Sequence, residues 1–233
     1  MTTALEMANL INEGKKIVFL TGAGVSTPSG IPDYRSVSGL YTTTGLKKPE
    51  YLLSRRAMLN DTEDFHQFIM QLYQQDARPN VIHKKMAQLE KTKHVTVITQ
   101  NIDGLHSQAG SINVIEFHGT LATCYCESCL ETVDVKEFLK HYKHEGCDGI
   151  IRPDVVLYEE QINSINIKQS MRALQIADTI VIVGTSLRVY PFASLTGYAS
   201  GNAKILTINK ELVDAVDADA QFLGDATCVF KLL

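Results

Sequence analysis

A glycine-rich loop follows the first apolar run of the sequence. Residues 16–20 read KIVFL, and residues 22–30 read GAGVSTPSG. Because glycines let the backbone approach a phosphate and direct N–H groups at it, the loop is a candidate phosphate site, with a simple tight turn as the alternative. It is not the dinucleotide-binding fingerprint, since Thr27 stands where the third glycine belongs. Arg35, just beyond the loop, has the fork geometry that clamps a pyrophosphate.

Two later apolar runs end in side chains that can bind an amide or move a proton. Residues 99–106 read TQNIDGLH and place Asn101 and Asp103 two positions apart, although capping of the next helix would occupy one of them. His118 follows the run at 114–117. An imidazole titrates near ~6.5, so His118 is a candidate general base, with a hydrogen-bonded core histidine as the alternative.

The composition excludes several classes of protein. The 233 residues include 22 Lys and Arg against 26 Asp and Glu, and the net charge of -4 argues against nucleic-acid binding through bulk charge. No run approaches the ~20 apolar residues of a membrane span, and no signal peptide is recognisable. Four of the five cysteines lie between positions 124 and 147, which in a cytosolic chain favours metal over disulfides. We expect a cytoplasmic monomer without nucleic-acid or membrane partners.

The elements that position these residues follow from the spacing of the apolar runs. Strands are predicted at 16–20, 95–98, 114–117, 180–183 and 205–208, with a weaker last one at 229–230. Helices are predicted at 5–14, 80–91 and 162–177, the second with Asn80 as its N-cap. Continuously apolar strands that alternate with helices indicate an α/β fold with a doubly wound parallel sheet, Rossmann-like and covered on both faces. Its ligand site should lie at the carboxyl ends of the strands.

Two stretches fall outside this alternation. Residues 33–79 show helical patterns without a strand, and residues 120–157 contain the cysteine cluster and a short helical piece near 135–142. We predict that both are insertions, one helical and one zinc-ribbon-like, which together form a second, smaller module. The Rossmann-like domain would then comprise residues 1–32, 80–119 and 158–233.

These motifs resemble the sirtuin family of NAD-dependent protein deacylases. The similarity runs from about Lys16 to the C-terminus and rests on GAGVS (22–26), SGIPDYRS (29–36), TQNIDGLH (99–106), HG (118–119) and GTSLRV (184–189). It implies NAD as co-substrate and removal of acetyl or other neutral acyl groups from protein lysines. The implied products are nicotinamide, free lysine and O-acyl-ADP-ribose.

Two other functions are compatible with an NAD pocket of this kind. A protein ADP-ribosyltransferase would use it with a different acceptor, and an NAD-sensing module would bind NAD without catalysis. Family members given to ADP-ribosyl transfer tend to lose the catalytic histidine, whereas His118 is present here. A binding module would need neither this base nor the pair Asn101 and Asp103. Deacylation is therefore favoured.

The resemblance also implies a role for each candidate residue. His118 is implied as the general base and Asn101 as a second catalytic residue that faces the nicotinamide ribose. The implied cofactor-binding positions are Gly22, Ala23, Gly24, Ile31, Asp33, Tyr34, Arg35, Gln100, Asn101, Ile102, Asp103, Gly184, Thr185, Ser186, Asn209 and Cys228. Among them, Arg35 and the backbone amides of residues 22–24 are expected to hold phosphate. Cys228 is also expected, from its place in the weak last strand, to be a small core residue.

The acyl-lysine substrate is implied to bind as an extended strand between two segments of the chain. The implied contacts are Val156, Tyr158, Glu160, Val189 and Tyr190. Residues 158–160 read YEE where the family usually has FGE, so Glu159 replaces a glycine. This change affects the close backbone approach expected there, and its added carboxylate favours basic residues that flank the acyl-lysine. A second departure is Tyr34, where the family usually has phenylalanine.

The cysteine cluster resembles the family's structural zinc module, which normally supplies two Cys-x-x-Cys pairs. Here the implied ligands are Cys126, Cys129, His144 and Cys147. Zinc accepts three thiolates and one imidazole in a tetrahedral site, so the histidine is chemically compatible. Two alternatives stay open: Cys124 serves in place of His144, or the module holds no metal.

The resemblance also bears on the acyl group. Family members that prefer succinyl-lysine or malonyl-lysine carry a Tyr-x-x-Arg pair on a helix of the small module. Alignment of residues 64–71 with that helix puts Phe68 and Gln71 at these places, although Phe68 has a plain core residue as its alternative. No arginine lies between Arg56 and Arg78. We therefore expect a neutral acyl group.

Overall fold

The computed structural model describes residues 1–32, 47–74 and 76–233. The strands within these ranges are β1 (Lys16–Thr21), β2 (His94–Thr99), β3 (Val114–Glu116), β4 (Gly119–Cys126), β5 (Thr132–Val133), β6 (Ile151–Val155), β7 (Thr179–Val183), β8 (Lys204–Asn209) and β9 (Ala220–Leu223). The helices are α1 (Ala4–Glu13), α2 (Pro49–Leu52), α3 (Arg55–Asn60), α4 (Thr62–Leu72), α5 (Val81–Leu89), α6 (Leu105–Gln108), α7 (Val135–Phe138), α8 (Ser164–Ile176) and α9 (Ala226–Phe230). No helix in the described ranges is long and apolar enough to cross a membrane.

Six parallel strands form the main sheet, in the order β3-β2-β1-β7-β8-β9. One face is covered by α1, α5 and α9, and the other by α8 and a 3₁₀ helix, Phe192–Tyr198. The central strands are buried on both faces, as in β7, where all five residues are buried. This confirms the predicted doubly wound sheet. Asn80 caps α5 as predicted, since its side chain accepts a hydrogen bond from the N–H of Ile82.

The last strand was predicted at the wrong place. Val229 and Phe230 belong to α9, whose N-cap Asp225 accepts a hydrogen bond from the N–H of Thr227. Both apolar side chains are buried, and the Phe230 ring lies 6.0 Å from that of Phe19. The edge strand is instead β9, whose four residues are only half-buried and therefore lack a continuous apolar run.

A second core joins the two insertions. Strands β5, β4 and β6 form an antiparallel sheet, and α2, α3 and α4 pack against it. Phe65 and Phe68 from α4 and Phe138 from α7 are buried there. The helical character predicted for the first insertion is confirmed for residues 47–74, and the domain boundaries stay a prediction.

Candidate active site

A cleft of about 770 Å³ opens at the carboxyl end of the six-stranded sheet. This volume lies within the range of ~300–1,000 Å³ that is typical of ligand sites. The following candidate residues line it: Gly22, Ala23, Gly24, Gln100, Asn101, Ile102, His118, Val156, Tyr158, Glu160, Gly184, Thr185, Ser186, Val189, Tyr190 and Asn209. All six strands contribute residues from their carboxyl ends, as predicted for this kind of sheet.

Some candidate residues lie elsewhere. Asp33, Tyr34 and Arg35 fall outside the described residues. Ile31, Asp103 and Cys228 are described and do not line the cleft. Cys228 is exposed, because it lies on α9 on the side away from the buried neighbours. Its prediction as a core residue of a strand is therefore wrong.

The glycines of the first loop allow two loops to pack together. The N–H of Gly22 donates to the carbonyl of Val183 at 3.2 Å, and the N–H of Gly24 donates to the carbonyl of Gly184 at 2.9 Å. A Cβ on Gly24 would lie 2.7 Å from Cα of Gly184, well inside the ~3.5 Å at which carbon atoms normally touch. The amides of Gly22 and Gly24 thus already donate to backbone carbonyls. The expectation that the amides of residues 22–24 hold phosphate stays a prediction. Ala23, between them, still lines the cleft.

A buried hydroxyl links the ends of the first two strands. The Asn101 amide donates to the carbonyl of Gly22 at 3.1 Å and to Ser26 Oγ at 3.0 Å. Ser26 in turn donates to Asp103 at 2.6 Å, and Asp103 also accepts the N–H of Leu105 at 2.9 Å. Burial raises the pKa of Asp103, and the two bonds it accepts act in the opposite direction. Asp103 thus accepts the first backbone N–H of α6 and, through Ser26, fixes the orientation of Asn101.

The hydrogen bonding of His118 determines its tautomer. Nδ1 lies 3.2 Å from the carbonyl oxygen of Gln100, which can only accept, so Nδ1 carries the proton and Nε2 keeps its lone pair. Burial lowers the pKa of His118 and outweighs the opposing effect of this hydrogen bond. The rings of Phe117 and Phe192, with centroids at 5.5 and 6.2 Å, hold the imidazole in place. A neutral imidazole with an accepting Nε2 has the form that a general base requires.

The opposite wall of the cleft is formed by the segment 155–160. The N–H of Val156 donates to the carbonyl of His118 at 2.9 Å, which fixes this wall next to the candidate base. The N–H of Tyr158 donates to the carbonyl of Leu53 at 2.9 Å. The segment is therefore held on one side by the main sheet and on the other by the helical insertion.

Glu159, in place of the family's glycine, adopts a left-handed backbone with φ 75°. This conformation costs a non-glycine residue roughly 1–2 kcal/mol. Arg56 offsets part of the cost, because its guanidinium lies 2.9 Å and its backbone N 3.2 Å from the Glu159 carboxylate. The backbone shape expected of glycine is thus retained, and the preference for basic flanking residues stays a prediction.

The cleft also contains residues that the sequence analysis did not select. These are Thr27, Pro49, Glu50, Leu53, Ile162, Arg188, Ile208, Lys210, Glu211, Gly224, Asp225 and Ala226. Residues 224–226 follow β9, and they were missed because that strand was missed. Lys210 and Glu211 follow β8, so their place directly after a predicted strand was a usable signal.

Three cysteines and one histidine meet at the tip of the small module. The ligand atoms of Cys126, Cys129, His144 and Cys147 all lie within 4.8 Å of one another. Neighbouring pairs are 3.4 Å apart, as for Cys126 Sγ with Cys147 Sγ and for Cys129 Sγ with His144 Nδ1. A tetrahedral zinc with bonds of ~2.0–2.3 Å requires ligand separations of about this size. The cluster fits one structural zinc.

Cys124 does not take part in this cluster. It is buried in β4, and its Sγ lies 3.5 Å from the hydroxyl of Tyr73, which donates to the carbonyl of Leu121. The alternative in which Cys124 replaces His144 is therefore wrong. Its side chain packs in the core formed with α4, away from the ligand atoms of the cluster.

Comparison with known proteins identifies the family of the chain. A model of the Sir2 family matches residues 22–191, which is more than half of the chain. The chain belongs to the Sir2 family. This confirms the resemblance that was drawn from the motifs.

Relatives of this Sir2 protein match over nearly their whole length. An NAD-dependent protein deacetylase from Listeria monocytogenes is 52% identical, covering 95% of this chain and 96% of the relative. A solved Sir2 complex with a deacetylated p53 peptide and 3′-O-acetyl ADP-ribose has a TM-score of 0.87 at 31% identity, covering 99% and 96% of the two chains. A Sir2 homologue in complex with NAD has a TM-score of 0.86 at 33% identity, covering 97% and 91%.

Proposed function

We propose that this Sir2 protein is an NAD-dependent protein deacetylase. It transfers the acetyl group of a protein lysine to ADP-ribose, releasing nicotinamide and free lysine. The observation that carries the proposal is His118, whose neutral tautomer presents an accepting Nε2 beside Asn101 in the strand-end cleft. Support comes from the Listeria deacetylase and from the Sir2 complexes with NAD and with acetyl ADP-ribose.

The residues of the cleft fit NAD. Six strand ends, a glycine-containing loop and a volume of about 770 Å³ provide room for an extended dinucleotide. Ala23, Gln100, Asn101, Ser186 and Asn209 would hold it, since all five line the cleft. When bound, NAD supplies an electrophilic ribose carbon and the ADP-ribose that accepts the acyl group.

Side chains of the protein orient the substrates and accept the proton that the reaction releases. Asn101 is fixed by Gly22 and Ser26, so its amide is already oriented for a ribose or an amide group. His118 accepts a proton at Nε2 from a ribose hydroxyl and thereby makes that hydroxyl nucleophilic. Because the base is partly buried between two aromatic rings, its charge state is controlled by the protein more than by solvent.

The acetylated peptide would lie between the segment 155–160 and residues 189–190. Both segments line the cleft, and the rings of Tyr158 and Tyr190 are 48% and 76% exposed. Backbone hydrogen bonds to an extended peptide give affinity with loose sequence selectivity. Cytoplasmic location and a monomeric state remain predictions.

A nicotinamide-release assay tests the proposed function. With NAD and an acetyl-lysine peptide we expect nicotinamide and deacetylated peptide in equal amounts, and little release without the peptide. Release of nicotinamide together with transfer of ADP-ribose to the peptide or to a protein acceptor would instead indicate an ADP-ribosyltransferase. Binding of NAD without any release would indicate a non-catalytic module, and both outcomes would contradict the proposal.

A neutral acyl group is expected because no arginine lies between Arg56 and Arg78 to pair with an acyl carboxylate. Phe68 is 1% exposed in the module core, which confirms the alternative interpretation of this residue, and neither Phe68 nor Gln71 lines the cleft. Because an unpaired buried carboxylate costs several kcal/mol, a succinyl peptide should show a kcat/KM at least ~10-fold below that of the acetyl peptide. A butyryl peptide of similar length separates charge from size. Faster turnover of the succinyl peptide than of the acetyl peptide would contradict the prediction.

A further inference from the structure

Arg152, on β6, carries a charged group that is almost completely buried. Its side chain is 2% exposed and does not line the cleft. Nη1 and Nη2 bind the two carboxylate oxygens of Glu160 at 2.5 and 2.9 Å, and Nη2 also donates to the carbonyl of Val155 at 2.6 Å. A buried guanidinium is tolerated only with such complete pairing. Its partner Glu160 is the last residue of the segment 155–160, which forms the cleft wall.

The Glu160 carboxylate stabilises this segment through several hydrogen bonds. Its carboxylate accepts the N–H of Leu157 at 2.9 Å and a bond from Arg55 at 3.2 Å, besides the two from Arg152. The side chain is 16% exposed, so most of it faces the protein interior although the residue borders the cleft. These bonds hold residues 157–160 in a tight turn, which sets the path of the backbone that a peptide would meet.

The Arg152 guanidinium also contacts a residue next to the zinc cluster. Arg152 Nη1 lies 3.4 Å from Glu127, and Arg55 bridges Glu127 at 2.7 Å and Glu160 at 3.2 Å. Glu127 follows the ligand Cys126 directly in sequence. Charged contacts therefore join the cleft wall to Glu127, and the peptide bond joins Glu127 to a metal ligand.

We infer that Arg152 is a positioning residue for the acyl-peptide and that, through Glu127, the zinc cluster determines the shape of the wall 155–160. The inference rests on the proposed function, since it assigns the peptide to this wall. Arg152 acts through Glu160 and touches neither substrate. The residues proposed to hold NAD lie at the strand ends, so NAD affinity should depend little on this contact.

Arg152→Lys tests the role of the guanidinium. Lysine keeps the charge but cannot form two parallel bonds to Glu160. We expect the Kd of a fluorescent acetyl-lysine peptide, measured by anisotropy without NAD, to rise by about 10- to 100-fold because the wall is displaced. The KM for peptide should rise in parallel, the KM for NAD should stay within about twofold, and bound zinc should remain at the wild-type level. Arg172→Lys, at an exposed position of α8, is the matched control.

Two further measurements address the zinc contact and folding. Glu127→Gln, which leaves the ligands in place, should weaken peptide binding in the same direction as Arg152→Lys. The zinc content and melting curve of Glu127→Gln should stay at the wild-type level, which separates loss of this contact from unfolding of the small module. Unchanged peptide Kd in a folded, zinc-containing Arg152→Lys protein would overturn the inference, as would equal losses for peptide and NAD. A wild type that binds the peptide but does not deacetylate it would contradict only the proposed function.

Discussion

Replacement of His118 by alanine should lower kcat for peptide deacetylation by ~10²–10⁴, the usual contribution of a general base. NAD affinity should stay within a few-fold, because the contacts of His118 are with the Gln100 carbonyl and two aromatic rings, and the proposed NAD-binding residues keep their own hydrogen bonds. Single-turnover assays and NAD titration measure the two effects separately. His118→Tyr should behave in the same way.

The pH dependence provides an independent readout of this base. Because burial lowers the pKa of His118, its neutral form persists as the pH falls below the ~6.5 of an ordinary histidine. The acid limb of kcat/KM for the wild type should therefore lie below that value, with activity lost only as Nε2 becomes protonated. His94→Ala, at the exposed start of β2 and away from the cleft, should leave both rate and profile unchanged. Near-normal turnover by His118→Ala would contradict the assignment.

The sheet was predictable from sequence because its central strands are buried on both faces. A strand such as β7 must be apolar at every position, and this produces a run that is visible without structural knowledge. The edge strand β9 has no such requirement. Its half-buried residues resemble a loop, whereas Val229 and Phe230 form an apolar pair on a short helix.

The candidate site was predictable as far as it depends on strand ends. Asn101 and His118 were placed in one cleft because parallel strands bring their carboxyl ends together. The direction of individual backbone bonds was not predictable, as Gly22 and Gly24 show by donating to the carbonyls of Val183 and Gly184. Arg152 was missed because a buried guanidinium becomes meaningful only once its partner Glu160 is known.

The zinc cluster was predictable only in part from the sequence. Cys-x-x-Cys spacing identifies one half of a zinc site reliably, because both ligands come from one turn. The other half depends on which donor approaches in space. Cys124 is nearer to Cys126 in sequence than His144 is, yet its thiol contacts the Tyr73 hydroxyl in the core and lies outside the cluster.

Loss of zinc should unfold the small module before the α/β core. The module's sheet has three strands, one of only two residues, and the four ligands connect its loops. A sheet of this size is only marginally stable without a cross-link, and the binding free energy of structural zinc contributes directly to folding. The six-stranded sheet has separate cores on its two faces and does not depend on the metal.

Cys129→Ser should therefore lose the bound zinc and show a lower first melting transition, while the transition of the α/β core is retained. Elemental analysis gives the metal content, expected at one zinc per wild-type chain, and calorimetry resolves the transitions. Cys228→Ser is the matched control, since Cys228 is also exposed but lies on α9, outside the cluster. It should keep both the zinc and the wild-type melting curve, which separates loss of a ligand from loss of a thiol. Acyl-peptide turnover should fall with the module, because the wall 155–160 packs on it. A metal-free preparation that is folded and fully active would show that the cluster has no structural role.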